Sequence, residues 1–209
     1  MAEGRRALTP ASLNEAVEIL AQRDADLAAI VRRCGAPTFW SRPPGFASLV
    51  YIIFEQQVSL ASAKATFEKV LAQLSELTPT AYLQLSDKSL RSAGVSRQKM
   101  RYTRLLAEAI LDGHLPIARL GRYTDERVRA LLTSITGIGD WTADVYMMAA
   151  LRRPDLWPVG DLALVKSVQS LKVAGARLAK DELIALGDVY RPYRTVATHI
   201  FWRHYLHKG

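Results

Sequence analysis

Asp161 follows Trp157-Pro158-Val159-Gly160 and precedes Leu162-Ala163-Leu164, where a proline- and glycine-bearing loop gives way to a helical apolar run. An aspartate at that junction suits a helix N-cap, its side chain accepting a backbone N–H of the first turn. The same placement suits chemistry. The helix N-terminus and its N–H groups favour the ionised form of a partly buried carboxylate, and an ionised, dry carboxylate stabilises a sugar that develops positive charge. The two readings are compatible. Upstream lies Leu131-Leu132-Thr133-Ser134-Ile135-Thr136-Gly137-Ile138-Gly139-Asp140-Trp141-Thr142-Ala143. Two helices meet there across Gly137-Ile138-Gly139. Glycines permit positive φ and let a ligand approach the backbone, and N–H groups beside a helix N-terminus bind phosphate. Such a grip positions a nucleic acid without reading its bases. The plain alternative is a tight helix–helix turn.

Other reactive side chains are sparse. Cys34 is the one cysteine, which excludes an intrachain disulfide and a four-cysteine zinc or iron–sulfur site. His114, His199, His204 and His207 form no recognised metal-ligand spacing, so structural or solvent roles suit them. Glu55 is a candidate second carboxylate or a hydrogen-bonding residue. The net charge of +8 attracts polyanions through counterion release. Part of it is concentrated: Arg91, Arg97, Lys99, Arg101, Arg104, Arg119 and Arg122 share their stretch with only Glu108 and Asp112. That stretch reads as a nucleic-acid contact or as a solvated helix face.

The elements that must position these groups are helical nearly throughout. Pro10 and Ser12-Leu13-Asn14-Glu15 open a helix with Leu13, Val17 and Leu20 on one face. A second runs over 25–34 and ends at Gly35. The apolar stretch from Phe46 to Phe54 has a strand-like content of β-branched residues, but its neighbours favour helices over 46–55 and 60–75, joined by a turn at Gln56-Gln57-Val58. Thr78, Ser86, Ser96 and Thr124 read as N-caps. The helix after Thr124 runs to about Thr133 and the next from Asp140 to Leu151. Final helices are expected over 180–187 and 191–206. The fold class is all-α, with no convincing strand or repeat. With 49% hydrophobic and 23% charged residues, the composition is that of a soluble globular protein. No apolar run is long enough to span a membrane, and the N-terminus lacks the apolar core of a secretory signal.

The hairpin, followed after Trp141 by Gly160-Asp161, resembles the signature of the helix-hairpin-helix DNA glycosylase superfamily, and the chain is most similar to its 3-methyladenine DNA glycosylase II group. Phe46-Ala47-Ser48-Leu49-Val50 with Gln56-Gln57-Val58-Ser59 resembles the segment leading to that group's minor-groove wedge. Arg191-Pro192-Tyr193-Arg194-Thr195-Val196-Ala197 resembles its C-terminal aromatic-arginine motif. The resemblance covers about 40–206.

The resemblance implies two helical lobes flanking a cleft, without an N-terminal β-domain. Residues 1–45 would pack with a C-terminal lobe at 154–209 that carries Asp161, and 46–153 would form a lobe holding the helix-hairpin-helix at about 125–151. Asp161 would be the catalytic aspartate. Gly137, Ile138, Gly139 and Thr142 would contact DNA, and Gln57 would fill the gap left by a flipped nucleotide. The carbonyls of Thr133, Ile135 and Ile138 would hold Na+ or K+, with no cofactor required and no iron–sulfur cluster. Trp141, Tyr193, Trp40 and Tyr51 would line the base pocket, where an aromatic face suits the positive charge of an N-alkylated purine. Bifunctional members place a lysine where this chain has Trp141. Without that amine no Schiff base forms, so water is the nucleophile and an abasic site the product. Val145 and Leu162 stand where some relatives have pocket tyrosines. The partner implied is double-stranded DNA with alkylated bases, acted on by a cytoplasmic monomer, nucleoid-associated if bacterial. Two rivals remain: a non-catalytic helix-hairpin-helix DNA-binding protein, and a glycosylase for deaminated or oxidised bases.

Overall fold

A computed structural model of the chain describes residues 7–174 and 177–207. Its regular structure among those residues is helical: α1 (Pro10–Arg23), α2 (Ala25–Cys34), α3 (Phe46–Glu55), α4 (Leu60–Leu71), α5 (Pro79–Gln84), α6 (Asp87–Ser92), α7 (Arg97–Leu111), α8 (Asp125–Thr133), α9 (Asp140–Ala149), α10 (Leu162–Lys172), α11 (Lys180–Asp188) and α12 (Arg194–Leu206), with a 3-10 turn at Ile117–Arg122. The hydroxyls of Thr9, Ser59, Thr78, Ser86, Ser96 and Thr124 each accept the N–H of the residue three positions on. Each cap contributes about 1 kcal/mol. α4 and α9 stop short of the ends expected for them, at Leu71 and Ala149. α12 begins at Arg194, after the expected start, because Pro192 has no N–H to give and restricts the residue before it.

The chain divides into two compact units, one formed by Met1–Ser41 with Met147–Gly209 and the other by Arg42–Tyr146. The second division falls inside α9, not after 153.

In the first unit, Leu13, Ala16, Val17 and Leu20 of α1 and Leu27 and Ile30 of α2 form one apolar core with Leu164 and Val168 of α10 and with Val196, Ala197, Ile200 and Phe201 of α12. The recurrence of these positions every three or four residues is what turns one face of each helix inward. Trp157 closes the core, its indole N–H donating to the Leu183 carbonyl at 2.9 Å. Gly187 makes room for that ring, since a Cβ there would meet Trp157 at 2.6 Å. Asp24 ties the N-terminal helices to α10. It caps α2, accepting Asp26 N–H at 2.9 Å, and also accepts from Lys172 Nζ at 2.7 Å and from Tyr190 Oη at 2.7 Å.

In the second unit, α3 is buried on almost every side, from Phe46 to Glu55. That explains an apolar run without amphipathic spacing: a helix hydrophobic all round belongs in a core. It packs on α4 and α7. α5 joins α7 through Tyr82 Oη and Thr103 Oγ1, 2.6 Å apart and buried.

Candidate active site

The carboxylate belongs to the first unit. Asp161 is the N-cap of α10, with extended backbone at φ −80° and ψ 120°. Its Oδ1 accepts the N–H of Leu164 at 2.8 Å and the indole N–H of Trp202 at 2.8 Å. The residue is only 8% exposed, so its hydrogen bonds act at reduced dielectric, where they are strong. Nothing in the sequence singles out Trp202. It lies on α12, meets Trp40 edge-on at 5.4 Å and lies against His199 with ring centroids 5.3 Å apart and the planes tilted by 35°. Burial pushes the His199 imidazole down to about 4, so the ring beneath Trp202 is neutral near pH 7.

The loop that presents Asp161 is fastened by the start of α12. Arg194 forks onto Asp155, Nε to Oδ1 at 2.8 Å and Nη2 to Oδ2 at 3.0 Å. Thr195 Oγ1 donates to the Arg153 carbonyl at 2.6 Å and accepts Leu156 N–H at 3.1 Å. A turn closes the loop, Asp161 N–H donating to the Pro158 carbonyl at 2.8 Å. Tyr193 is partly buried against the core of this unit. The aromatic-arginine motif therefore acts through backbone and Asp155 contacts.

The hairpin belongs to the second unit, between α8 and α9. Gly137 has φ +95°, and a Cβ there would fall inside the Tyr102 ring. Gly139 lies outside the positive-φ region, and a Cβ on it would meet nothing within 4 Å. The two glycines thus do different work: Gly137 turns the chain against α7, and Gly139 leaves its backbone open to a ligand. Ile135 and Ile138 are buried anchors, 9% and 3% exposed. A cavity of about 380 Å³ beside the hairpin is lined by Gln56, Gln57, Lys99, Tyr102 and residues of the 133–139 stretch, Thr133, Ile135 and Ile138 included. Three residues whose carbonyls could serve a hard monovalent cation thus border one cavity. Among the described residues no group of His, Cys, Asp and Glu could hold a metal ion.

Gln57 is exposed at the tip of the α3–α4 turn with φ +57°, an uncommon conformation for a side-chain-bearing residue that clusters at functional sites. Gln56 reaches back, Nε2 donating to the Gly137 carbonyl and to Thr142 Oγ1, both at 2.9 Å. Thr142 is 2% exposed, its side chain turned inward onto Gln56. The basic stretch divides as well. Arg104 is structural, holding the Leu85 carbonyl at 2.8 Å and Asp87 at 2.9 Å. Lys99 donates to the Phe54 carbonyl at 2.8 Å. Arg97 and Arg101 are exposed on α7.

The remaining aromatic candidates are also in the second unit. Trp141 is half-buried on the first turn of α9. Tyr51 carries the Arg42 guanidinium 3.5 Å from its ring centroid and meets Phe67 at 4.9 Å, so one of its faces is already covered. Arg42 Nη2 also lies 3.4 Å from Glu55 Oε1. Glu55 is 6% exposed and its Oε2 accepts no hydrogen bond. Burial raises this carboxyl to about 7 against the smaller, opposing pull of Arg42.

Residues 50–190 match the model of the HhH-GPD superfamily of base excision DNA repair proteins. The chain belongs to that superfamily. Among solved structures of the fold, the DNA-3-methyladenine glycosidase of Bacillus halodurans is 34% identical with a TM-score of 0.74, over 94% of this chain and 89% of that one. The 3-methyladenine DNA glycosylase of Schizosaccharomyces pombe, crystallised with abasic DNA, superposes with a TM-score of 0.81 at 23% identity, over 90% of this chain and 95% of that one. The DNA-3-methyladenine glycosylase of Bacillus subtilis is 25% identical over 173 residues, 77% of this chain. The chain spans only 57% of that relative's length. No helix among the described residues is long and apolar enough to cross a membrane.

Proposed function

We propose that this chain is a monofunctional DNA glycosylase that hydrolyses the N-glycosidic bond of alkylated purines and leaves an abasic site. The observation that carries it is the doubly held carboxylate: Asp161 Oδ1 accepts from Leu164 N–H and Trp202 Nε1–H within a superfamily of base excision repair proteins. A target nucleotide must leave the stack before its sugar can be reached. Gln57 props the gap while the 137–139 hairpin grips a phosphate; the carbonyls of Thr133, Ile135 and Ile138, which border one cavity, would hold a Na+ or K+ ion, which would supply positive charge beside that phosphate. N-alkylated purines carry positive charge and depart readily, so no dedicated acid is required. Asp161 stabilises the oxocarbenium-like sugar as the base leaves, and water adds to it. In the unit that carries Asp161, Trp40, packed on Trp202, offers an aromatic face suited to a cationic base.

Asp161→Asn keeps the shape of the side chain and removes its charge. It is expected to bind DNA containing an abasic-site analogue as well as the parent does, while release of 3-methyladenine from methylated DNA falls at least about 100-fold. Retention of full release would end the assignment. In a second measurement, borohydride added during turnover should trap no protein–DNA adduct, because Trp141 stands where a lysine nucleophile would be needed. A strong adduct would contradict the monofunctional mechanism.

A further inference from the structure

We propose that Gln56 is a positioning residue that couples the hairpin's hold on a phosphate to the insertion of Gln57 into the duplex; this inference rests on the glycosylase reading above. Gln56 spends both N–H groups of its amide on the hairpin, one on the Gly137 carbonyl and one on Thr142 Oγ1, each at 2.9 Å. Gly137 is the residue that turns the hairpin and lies against Tyr102, and Thr142 is on the first turn of α9. Gln57, the next residue along, is exposed and held at φ +57°. On the other side, Lys99 of α7 donates to the carbonyl of Phe54 in the last turn of α3 at 2.8 Å.

The α3–α4 turn is therefore pinned from two directions, to α7 behind it and to the hairpin beside it. A turn holding a non-glycine residue in the left-handed region is strained and persists only when its surroundings over-determine it. Gln56 supplies that constraint from the element that grips phosphate. When the hairpin seats on the backbone, the side chain of Gln57 is held at a fixed offset from the gripped phosphate, which is the geometry an inserted wedge needs. Loss of the tether lets the turn relax into ordinary backbone and leaves Gln57 unaimed. The hairpin itself keeps its own anchors, Ile135 and Ile138.

The test compares the parent with Gln56→Met, which preserves side-chain length and removes the donor. Two duplexes are used, one undamaged and one with a tetrahydrofuran abasic-site analogue and 2-aminopurine opposite the gap. Gln56→Met is expected to bind the undamaged duplex within about twofold of the parent, to lose about tenfold in affinity for the abasic duplex, and to abolish the 2-aminopurine response. In a Gln57→Ala background the same substitution should have little further effect, because the group it aims is gone. Equal losses on both duplexes would assign Gln56 to hairpin folding alone and overturn the proposal, as would no loss on either, or additive effects of the two substitutions. If Gln56→Met does not fold, Thr142→Val removes one of the two acceptors and should show the same selective pattern at about threefold; an unselective or null result there overturns the proposal equally. If the parent itself releases no base, the glycosylase reading fails, while the two-duplex comparison still decides the tether.

Discussion

Asp161 shows how one side chain serves as a structural cap and as a candidate reacting group without compromise. The Leu164 N–H it accepts is one of the donors every helix start leaves over, so its position is set by local backbone. Trp202 adds a constraint from another helix, and this half of the site had no signature in the sequence. Nothing local links two residues so far apart in the chain. Only the packing of α10 on α12 brings them together, and an apolar position on α12 reads the same whether its indole N–H is spent on a carboxylate or not. The Asp161 cap was legible because aspartate after a proline-glycine loop has a local cause. Trp202→Phe keeps the ring contacts with Trp40 and His199 and deletes the donor. It is expected to lower kcat by about tenfold or more with KM little changed, since a hydrogen bond to a charged group is worth about 1.5–3 kcal/mol. Single-turnover kinetics checks this, and an unchanged kcat would remove the indole from the mechanism.

At the scale of elements, the helices were legible where short-range chemistry fixes them. Thr78, Ser86, Ser96 and Thr124, before α5, α6, α7 and α8, each accept the expected N–H, and Thr9 and Ser59 cap α1 and α4 in the same way without having been singled out in the sequence. The α3 segment was ambiguous because full burial removes the periodicity that separates helix from strand. The hairpin was legible as a pair of glycines, but their separate duties were not. The ring of Tyr102 beneath Gly137 comes from α7, and that contact, with the φ of +95°, shows which glycine cannot bear a side chain. Gly137→Ala is accordingly expected to destabilise the chain by about 1–3 kcal/mol and to weaken duplex binding, from positive φ and from the clash together. Urea unfolding and a DNA-binding isotherm read the two effects. Gly139→Ala meets no protein atom within 4 Å, so it should leave stability nearly unchanged and weaken DNA binding alone.

Across the whole molecule, two buried titratable groups pull stability in opposite directions with pH. Glu55 holds its proton in the folded chain up to about 7 against 4.5 ordinarily, so the stability it contributes is lost as pH rises through that window. His199 stays neutral down to about 4 against 6.5 ordinarily, so its contribution is lost as pH falls from 6.5. Between pH 4.5 and 6.5 the slopes, each about 1.4 kcal/mol per pH unit, oppose one another. Glu55→Gln should therefore make stability climb by about 2–3 kcal/mol over that range, and His199→Leu should make it fall by a similar amount; urea titrations at several pH values measure both, and parallel profiles would refute the pairing. The chain also starts and finishes in the same unit. α1 and α2 share a core with α10 and α12, whereas the family match stops at residue 190, before α12 begins. A fragment trimmed to the matched borders would therefore discard the indole that steadies Asp161 and strip the two N-terminal helices from the apolar face supporting α10. Any expression boundary drawn from homology alone would cut through the support of the aspartate it was meant to isolate.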